Sequence, residues 1–467
     1  MDELKNNIPI EVIQLIQVDW AEHYRIVPFE LTQSALLCYS DKLRLVSSSE
    51  LTIVLGKTVQ MVPVASEAID YLLSKHYRRV NTSSTGEVFK ANAEGEFLEG
   101  LINEAIQIGS SDIHVEKYEQ RARVRMRVDG SLIERFVIEP DKYPELLNKI
   151  KIKAKLDIAE KRLPQDGRIT FKDMDLRVSI IPSQYGEKAV LRLLNKQSGN
   201  KSLTELGLSK SQKKEFLKAI SKSQGLVLIS GPTGSGKTTT LYASLKQLNK
   251  PKVNIVTIED PVEYTLEGIN QVPLREAIGL DFSSALRAFL RQDPDIIMVG
   301  EIRDKGTAQM AIRASLTGHL VFSTIHTNSA WGIVSRLLDM GIPQFLIAST
   351  LNLVVAQRLV RLLCNHCKQA TGITNEQSKV LGNRLKTALI HKPVGCSACF
   401  YSGFNGRKAI YEVITIANDL RDKLMLSETQ IKEDLTKHNV QFLSEAALEL
   451  LESGQTCFTE VYQLIVE

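Results

Sequence analysis

The segment GPTGSGKT, at residues 231–238, constrains the fold of this chain more than any other part of the sequence. It matches the pattern G-x-x-x-x-G-K-[ST] in full, between an apolar strand-like run, GLVLIS, and a helical run, TTTLYASLKQL. In that context, glycines let backbone N–H groups face a phosphate, and the helix N-terminus favours its negative charge. A chance glycine-rich turn is the alternative, and the correct flanks on both sides oppose it.

The motif therefore predicts a nucleotide-phosphate loop. Lys237 is expected to reach the β- and γ-phosphates, and Thr238 to offer its hydroxyl to Mg²⁺. The expected nucleotide-binding residues are Gly231, Pro232, Thr233, Gly234, Ser235, Gly236, Lys237, Thr238 and Thr239.

Short apolar strand patterns surround this loop: GLVLIS, VNIVTIED, IIMVG and HLVFSTIH. Helical stretches separate most of them, which predicts an α/β fold with a parallel sheet and crossover helices. A further apolar run, Phe345 to Ala356, is interrupted by polar residues and is interpreted as a buried helix. It is too short to cross a membrane, and the chain contains no longer candidate.

Acidic residues stand where predicted strands end. Glu301 directly follows IIMVG, and Glu259 ends VNIVTIED together with Asp260. Open α/β sheets bind ligands at the carboxyl ends of their strands, where a carboxylate can orient or deprotonate a water molecule. These carboxylates are candidates for handling Mg²⁺ and the attacking water, with solvated loop acids as the alternative. His326 closes HLVFSTIH and could sense a phosphate; a packing histidine is the other interpretation.

Four of the six cysteines form two CxxC pairs, Cys364/Cys367 and Cys396/Cys399. This C-x2-C-x28-C-x2-C spacing predicts a structural Zn²⁺ site, with a helix from Asn375 to Leu389 filling the long separation. A redox dithiol pair and a nucleic-acid-binding zinc ribbon are the alternatives.

Composition restricts the functional classes. Lys plus Arg total 58 and Asp plus Glu total 54, a net charge of +4, which argues against a dedicated nucleic-acid binder. The N-terminus lacks the pattern of a secretory signal, so the cytoplasm is the expected location.

The sequence predicts six consecutive segments. They are an N-terminal domain (1–80), a linker (81–95), an α+β domain (96–197), a nucleotide core (203–362), a zinc module (363–410) and a helical tail (411–467).

Several long motifs resemble the motifs of one known family and occur in the same order along the chain. TIEDPVEY (257–264) is similar to its Asp box, LRAFLRQDPDIIMVGEIRD (286–304) to its Walker B region, and TGHLVFSTIHTNSA (317–330) to its His box. SSDIHVE (110–116) and KRLPQDGR (161–168) extend the match. The chain thus resembles the ATPases of the type II secretion and type IV pilus assembly superfamily, with the type II secretion group as the nearest.

This resemblance implies a RecA-like P-loop core preceded by α+β domains, one of them PAS-like, in a homo-hexameric Mg²⁺-dependent ATPase. ATP hydrolysis would power pseudopilus assembly and protein export. Residues 1–80 would dock on inner-membrane components of the secretion platform, which would hold a cytoplasmic protein at the membrane surface. A type IV or competence pilus assembly motor is the nearer alternative, and a nucleic-acid translocase the more distant one.

The resemblance also assigns roles to residues. Glu301 matches the Walker B glutamate, Glu259 and Glu263 match Asp-box acids, and His319 and His326 match the His-box histidines. The arginines expected to contact phosphate are Arg168, Arg177, Arg287 and Arg291. Arginines suit this task because the transition state spreads charge over the γ-phosphoryl oxygens.

Overall fold

A computed structural model describes most of the chain. The described residues are 8–13, 15–16, 21, 24–32, 34–41, 58–76, 96–171, 174–195, 202–382, 385, 389–400 and 402–466. The expected linker 81–95 lies outside them. The chain divides into two compact units. The first unit comprises Met1–Phe97, Val115–Met126 and Leu132–Pro144, and the second comprises Leu98–His114, Arg127–Ser131 and Glu145–Glu467.

The first unit begins with a small three-stranded sheet. Its elements are α1 (Ile10–Ile13), β1 (Ile26–Leu31), β2 (Leu36–Ser40), β3 (Val59–Pro63) and α2 (Ser66–His76). Strand β2 pairs antiparallel with β1 and parallel with β3. The rings of Phe29 and Tyr39 stack across β1 and β2 with centroids 4.0 Å apart, so an aromatic cross-strand pair anchors the sheet.

The following α+β segment contributes strands to both units. Its elements are α3 (Glu96–Gln107), β4 (Asp112–Lys117), β5 (Ala122–Val128), β6 (Ser131–Ile138), α4 (Tyr143–Lys153), β7 (Gln165–Phe171), β8 (Met174–Ser183) and β9 (Gly186–Asn195). Asp129 and Gly130, between β5 and β6, have φ values of 48° and 87°. Positive φ at both central residues is what a type I′ hairpin turn requires, which explains the Asp-Gly pair. In the second unit, β8 pairs antiparallel with β7 and β9.

The second unit contains a seven-stranded sheet whose strands, in spatial order, are β12 (Asn270–Pro273), β11 (Ile255–Glu259), β13 (Ile296–Val299), β14 (Leu320–Ile325), β10 (Gly225–Ser230), β15 (Leu351–Leu363) and β18 (Phe404–Thr415). All its strand pairs are parallel except β15 with β18. The α/β fold with a parallel-stranded P-loop core is therefore confirmed. The elements up to β15 are α5 (Lys210–Ile220), β10 (Gly225–Ser230), α6 (Lys237–Leu248), β11 (Ile255–Glu259), β12 (Asn270–Pro273), α7 (Phe282–Phe289), β13 (Ile296–Val299), α8 (Lys305–Leu316), β14 (Leu320–Ile325), α9 (Gly332–Asp339), α10 (Gln344–Thr350) and β15 (Leu351–Leu363).

Both faces of this sheet are buried. Along β10, Leu226 and Leu228 join the core on one face, and Val227 and Ile229 join the core on the other. Side chains alternate across a strand, so a strand covered on both faces must be apolar throughout. This requirement explains why GLVLIS has no polar residue before its last position.

The expected helix from Phe345 to Ala356 is wrong in its second half. Helix α10 ends at Thr350, and Leu351 begins the 13-residue strand β15. Strand β15 lies between β10 and β18, and its first eight residues are buried. Periodicity cannot separate a buried helix from a buried central strand, because both are apolar on all sides.

The final elements also differ from the expectation. They are β16 (Gln369–Gly372), α11 (Asn375–Leu381), β17 (Leu389–Lys392), β18 (Phe404–Thr415), α12 (Asn418–Arg421), α13 (Glu428–Lys437), α14 (Leu443–Glu452) and α15 (Phe458–Val466). The helix predicted from Asn375 to Leu389 ends at Leu381, and Leu389 instead begins β17. Residues 411–415, expected in the helical tail, belong to β18. Across the described residues, we find no helix with the length and apolarity to cross a membrane.

Strand β18 carries a buried carboxyl group, Glu412, which is 4% exposed. The backbone N–H of Ala330 donates to its Oε1 at 2.9 Å, and that of Leu443 donates to its Oε2 at 3.4 Å. Burial raises the pKa of Glu412 to about 7. This side chain therefore ties the segment after β14 to helix α14 from inside the core.

We predict that Glu412 makes stability fall as pH rises. The folded-state pKa lies above the unfolded value, so the contribution is present below the unfolded pKa and is lost as pH rises through about 7. The shift from 4.5 to about 7 corresponds to at most on the order of 3 kcal/mol. Urea denaturation of the wild type and Glu412→Gln at about pH 5 and pH 8 tests this. The wild type should lose more stability than the variant; equal losses would contradict the prediction.

Candidate functional site

A cavity of about 1210 Å³ opens where the parallel strands of the second unit end. Small-molecule sites usually measure roughly 300–1000 Å³, so a nucleotide has ample room. Loop residues 233–239 form one wall, and Glu259, Glu301 and His326 come from the ends of β11, β13 and β14. The strand ends therefore bring together the phosphate loop, the predicted acids Glu259 and Glu301 and the predicted histidine His326.

The phosphate loop has the backbone that its glycines predict. Gly231, Gly234 and Gly236 have φ values of 147°, 81° and 88°. A Cβ on Gly231 would lie 2.4 Å from the backbone oxygen of Gln357, and one on Gly236 would lie 2.8 Å from its Nε2. These glycines thus serve both the turn and a close approach to strand β15.

Gln357, on β15, is a site residue that the sequence analysis missed. Its side chain is 2% exposed, and its Nε2 donates to the Ser235 carbonyl at 2.8 Å. Its Oε1 accepts a hydrogen bond from Thr240 Oγ1, also at 2.8 Å. The amide therefore joins the loop to the first turn of α6. No sequence motif marks it, because it directly follows the apolar run from Phe345 to Ala356, which was interpreted as a helix.

Two polar side chains of the loop, Lys237 and Ser235, make no hydrogen bond outside the loop among the described residues. Lys237 Nζ donates to the carbonyl oxygens of Gly231 at 2.6 Å and Pro232 at 3.1 Å. Burial lowers the pKa of Lys237, and the Glu301 carboxylate opposes this shift. The Ser235 hydroxyl is buried and has no hydrogen-bond partner in the part of the chain that the structure describes. These groups fit an anionic phosphate held by the loop.

Glu301 faces the cavity with polar neighbours. Its side chain is 18% exposed, His326 Nε2 lies 3.6 Å from its Oε2, and Arg303 Nη2 donates to its Oε1 at 2.5 Å. Arg303 also lies 3.9 Å from Asp260. Glu301 can therefore accept a water molecule or a cation at the end of β13.

Glu259 has a different environment although it lines the same cavity. It is 3% exposed, and its Oε1 accepts hydrogen bonds from Thr257 Oγ1 at 2.6 Å and Gln271 Nε2 at 3.1 Å. The Tyr242 hydroxyl donates to its other oxygen. Burial, with the Glu259 charge, raises the pKa of Tyr242 far above its usual range. Glu259 is thus held in place by three donors before any ligand arrives.

The four arginines predicted to contact phosphate do not line this cavity. Arg168 forms an ion pair with Asp175, and Arg177 donates to the Val262 carbonyl. Arg287 is exposed on α7, and Arg291 is exposed two residues after this helix ends. Their role at the γ-phosphate stays a prediction.

Other arginines line the cavity: Arg127, Arg192, Arg361 and Arg407. The Arg361 guanidinium stacks 4.0 Å from the Phe404 ring and donates to Ser131 Oγ at 2.9 Å. Arg407 Nε lies 3.8 Å from Asp129. The Asp129-Gly130 turn lies close to Arg127, and Arg407 ends the segment GFNGR (403–407). Both segments are visible in the sequence, but their position at the cavity is not.

Three further predicted site residues do not line the cavity. His319 precedes β14 and accordingly lies at the opposite edge of the sheet, with its Nδ1 2.9 Å from the Ala314 carbonyl oxygen. Gly231 and Pro232 contact Lys237 through their carbonyl oxygens.

The four paired cysteines converge on one point. The Sγ atoms of Cys364, Cys367, Cys396 and Cys399 all lie within 4.8 Å of one another. Sulfur separations of 3.9 Å for Cys364–Cys396 and 3.7 Å for Cys367–Cys399 match the roughly 3.8 Å that a tetrahedron with 2.3 Å Zn–S bonds implies. Backbone N–H groups of Gly395 and Gly403 donate to two of these sulfurs at 3.3 Å. The cluster therefore fits a four-thiolate metal site with no open position.

The cysteine module lies at the end of the central sheet. Cys364 directly follows β15, and Cys399 shortly precedes β18, which pairs antiparallel with β15 from Leu353–Thr415 to Leu363–Phe404. A bound metal would therefore close the end of the β15–β18 pair.

We predict that Gln357 controls the affinity for ATP. In Gln357→Ala, the Ser235 carbonyl and the Thr240 hydroxyl lose a buried partner, which costs about 1–3 kcal/mol. KM for ATP should rise roughly tenfold, with a smaller change in kcat. Gln357→Glu keeps one acceptor but places a second acceptor against the Ser235 carbonyl and buries a negative charge beside the phosphate loop, so its KM should rise at least as much. Gln292→Ala, on an exposed glutamine, is the matched control, and an unchanged KM in Gln357→Ala would contradict the prediction.

We also predict one tightly bound zinc ion per chain. Cys396→Ser replaces a thiolate with a hydroxyl, which is a poor zinc ligand, so the variant should lose stoichiometric zinc and melt at a lower temperature. Elemental analysis of purified protein measures the metal. Cys38→Ser, outside the cluster, should keep its zinc. Wild-type protein with four free thiols and no metal would refute the prediction.

Comparison with known proteins places these features in one family. Residues 91–463 match the family model described as "Type II/IV secretion system protein". The chain is 44% identical to "Putative type II secretion system protein E" of Escherichia coli K12, over 88% of this chain and 84% of that protein. It is 39% identical to "Type IV pilus assembly ATPase PilB" of Myxococcus xanthus, over 97% and 86%. The solved structure of the pilus retraction motor PilT with bound ADP aligns with a TM-score of 0.55 at 26% identity, over 79% of this chain and 97% of that one. The chain therefore belongs to the type II/IV secretion system protein family.

Proposed function

We propose that this chain is a Mg²⁺-dependent ATPase that powers pseudopilus assembly and protein export by a type II secretion system. The observation that carries this proposal is the cavity in which the loop 233–239 faces Glu301. Family membership and the 44% identity to a type II secretion system protein E support the secretion role.

In the proposed reaction, the loop backbone and Lys237 hold the phosphates of ATP. Lys237 would exchange its bonds to the Gly231 and Pro232 carbonyls for phosphate oxygens. Thr238 and Glu301 would hold Mg²⁺, which neutralises charge on the β- and γ-phosphoryl oxygens when bound.

The two glutamates would then divide the work at the γ-phosphate. Glu301 is partly exposed, so it would orient the attacking water. Glu259 already accepts hydrogen bonds from Tyr242, Thr257 and Gln271. It would therefore hold the end of β11 in place, and it would act on water only after one of these donors has moved away. His326 Nε2 lies 3.6 Å from Glu301 Oε2, so His326 would couple the presence of the γ-phosphate to the position of that carboxylate.

The assembly is proposed to be a homo-hexamer. Arg168, Arg287 and Arg291 are exposed in a single chain, so contact with a γ-phosphate requires a movement or a neighbouring copy. Residues 1–80 are proposed to dock on inner-membrane components of the platform, at the cytoplasmic face. Zn²⁺ is proposed for the four-cysteine cluster, and no nucleic-acid partner is expected with a net charge of +4.

We predict that Glu301→Gln abolishes turnover and leaves ATP binding intact. The amide keeps the size of the side chain but loses the charge that handles Mg²⁺ and water. The steady-state ATPase rate should fall at least about 100-fold, with Lys237→Ala as the background. Glu267→Gln, on an exposed residue outside the cavity lining, is the matched control. Full ATPase activity in either Glu301→Gln or Lys237→Ala would contradict the proposed role of that residue in ATP hydrolysis.

The same assay separates the classes of motor. Added vesicles of acidic phospholipid should stimulate the wild type if it works at a membrane, whereas added DNA should not. Stimulation by DNA alone would overturn the secretion role and leave the phosphate-loop chemistry intact.

A type IV pilus assembly motor is the second candidate, because the PilB relative matches 97% of this chain. Deletion of the gene in its host distinguishes the two. Loss of exported proteins with intact surface pili supports secretion, and loss of pili with intact export supports pilus assembly.

A further inference from the structure

A second cavity, of about 560 Å³, lies at the other edge of the central sheet, where β10 and β15 begin. Its lining contains two cations, Lys222 and Arg421, and no carboxylate. The remaining lining residues are Ser223, Gln224, Gly225, Ser315, Ser349 and Asn352. The cavity is therefore polar and positively charged.

Lys222 is held in a built position. Its Nζ donates to Asn352 Oδ1 at 3.0 Å, and Asn352 Nδ2 donates to the Gln224 carbonyl at 2.8 Å. Asn352 is 5% exposed. Gly225 has a φ of 123°, and a Cβ there would lie 2.1 Å from Asn352 Nδ2. Only glycine at this position leaves room for the amide that orients the lysine.

Arg421 adds a second cation to the lining. Its Nε is buried and has no hydrogen-bond partner among the described residues. Burial lowers the pKa of Lys222, and the charges of Arg421 and Lys218 lower it further. The buried Nε of Arg421 would normally have a partner, and the exposed ammonium of Lys222 lies close to this like charge, so the two cations together favour a bound anion.

We propose that this cavity binds a small, freely diffusing phosphate-bearing anion. A guanidinium offers a planar fork of donors and an ammonium offers a compact charge, and this combination suits phosphate oxygens. The Ser223 hydroxyl lines the same space and can add a donor, whereas the hydroxyls of Ser315 and Ser349 already donate to the carbonyl oxygens of Ala311 and Leu346. The site is separate from the ATP cavity, because the phosphate loop follows the last residue of β10 and this cavity adjoins its first.

The experiment measures thermal stability of the full chain as inorganic phosphate is added. The ATP site is first saturated with Mg²⁺ and a non-hydrolysable ATP analogue, so that phosphate cannot report on the loop. Ionic strength is held constant with chloride. Binding to the folded state raises the melting temperature in a saturable manner. Because the readout is stability, failure of this proposal leaves the proposed ATPase function untouched.

Arg421→Gln and Lys222→Gln should each weaken the apparent phosphate affinity at least about tenfold, because each removes a charged donor. Lys210→Gln is the matched control, since Lys210 is exposed at the start of α5 and outside the lining. A wild type that does not respond to phosphate, or an Arg421→Gln variant that responds equally, would overturn the proposal.

A lipid headgroup carries the same phosphate chemistry, so a second arm separates the sources. Glycerol phosphate is compared with phosphatidylcholine vesicles that contain phosphatidic acid. Saturable stabilisation by glycerol phosphate that depends on Arg421 supports the free anion. Vesicle binding that depends on Arg421, without a response to either free phosphate, would overturn it in favour of a membrane surface.

Discussion

The close approach of the phosphate loop to strand β15 is the constraint on which the rest of the second unit depends. Gly231 and Gly236 leave no room for a Cβ beside Gln357, and the buried amide of Gln357 bonds to both the loop and α6. A loop held this way presents its N–H groups without reorganisation when a phosphate arrives, which is how preorganised sites gain binding free energy. The loop geometry is thus a property of the neighbouring strand as well as of the motif.

Two carboxylates at one sheet edge illustrate how environment assigns roles. Glu301 keeps access to the cavity, whereas Glu259 is enclosed by Tyr242, Thr257 and Gln271. A carboxylate with three internal donors is held in a fixed orientation, and one with free lone pairs can accept hydrogen bonds from a water molecule. The same residue type at equivalent strand ends can therefore serve positioning and chemistry.

Strand β15 also connects the nucleotide cavity to the cysteine cluster. It carries Gln357 beneath the loop, Arg361 in the cavity wall and Cys364 directly after its end. The GFNGR segment returns along β18 and places Arg407 in the same wall. A metal at the cluster would hold these two strands together at the end where both arginines lie.

The sequence by itself determined the phosphate loop, the parallel strands β10, β11, β13 and β14, the acids at the ends of β11 and β13, and the grouping of the four cysteines. These features depend on local periodicity and spacing, which residue types express directly. Tertiary structure decided the identity of β15, the support of the loop by Gln357, the burial of Glu259 and the arginines that line the cavity. Those outcomes depend on which segments lie side by side, and a fully apolar run does not say whether its neighbours are strands or helices.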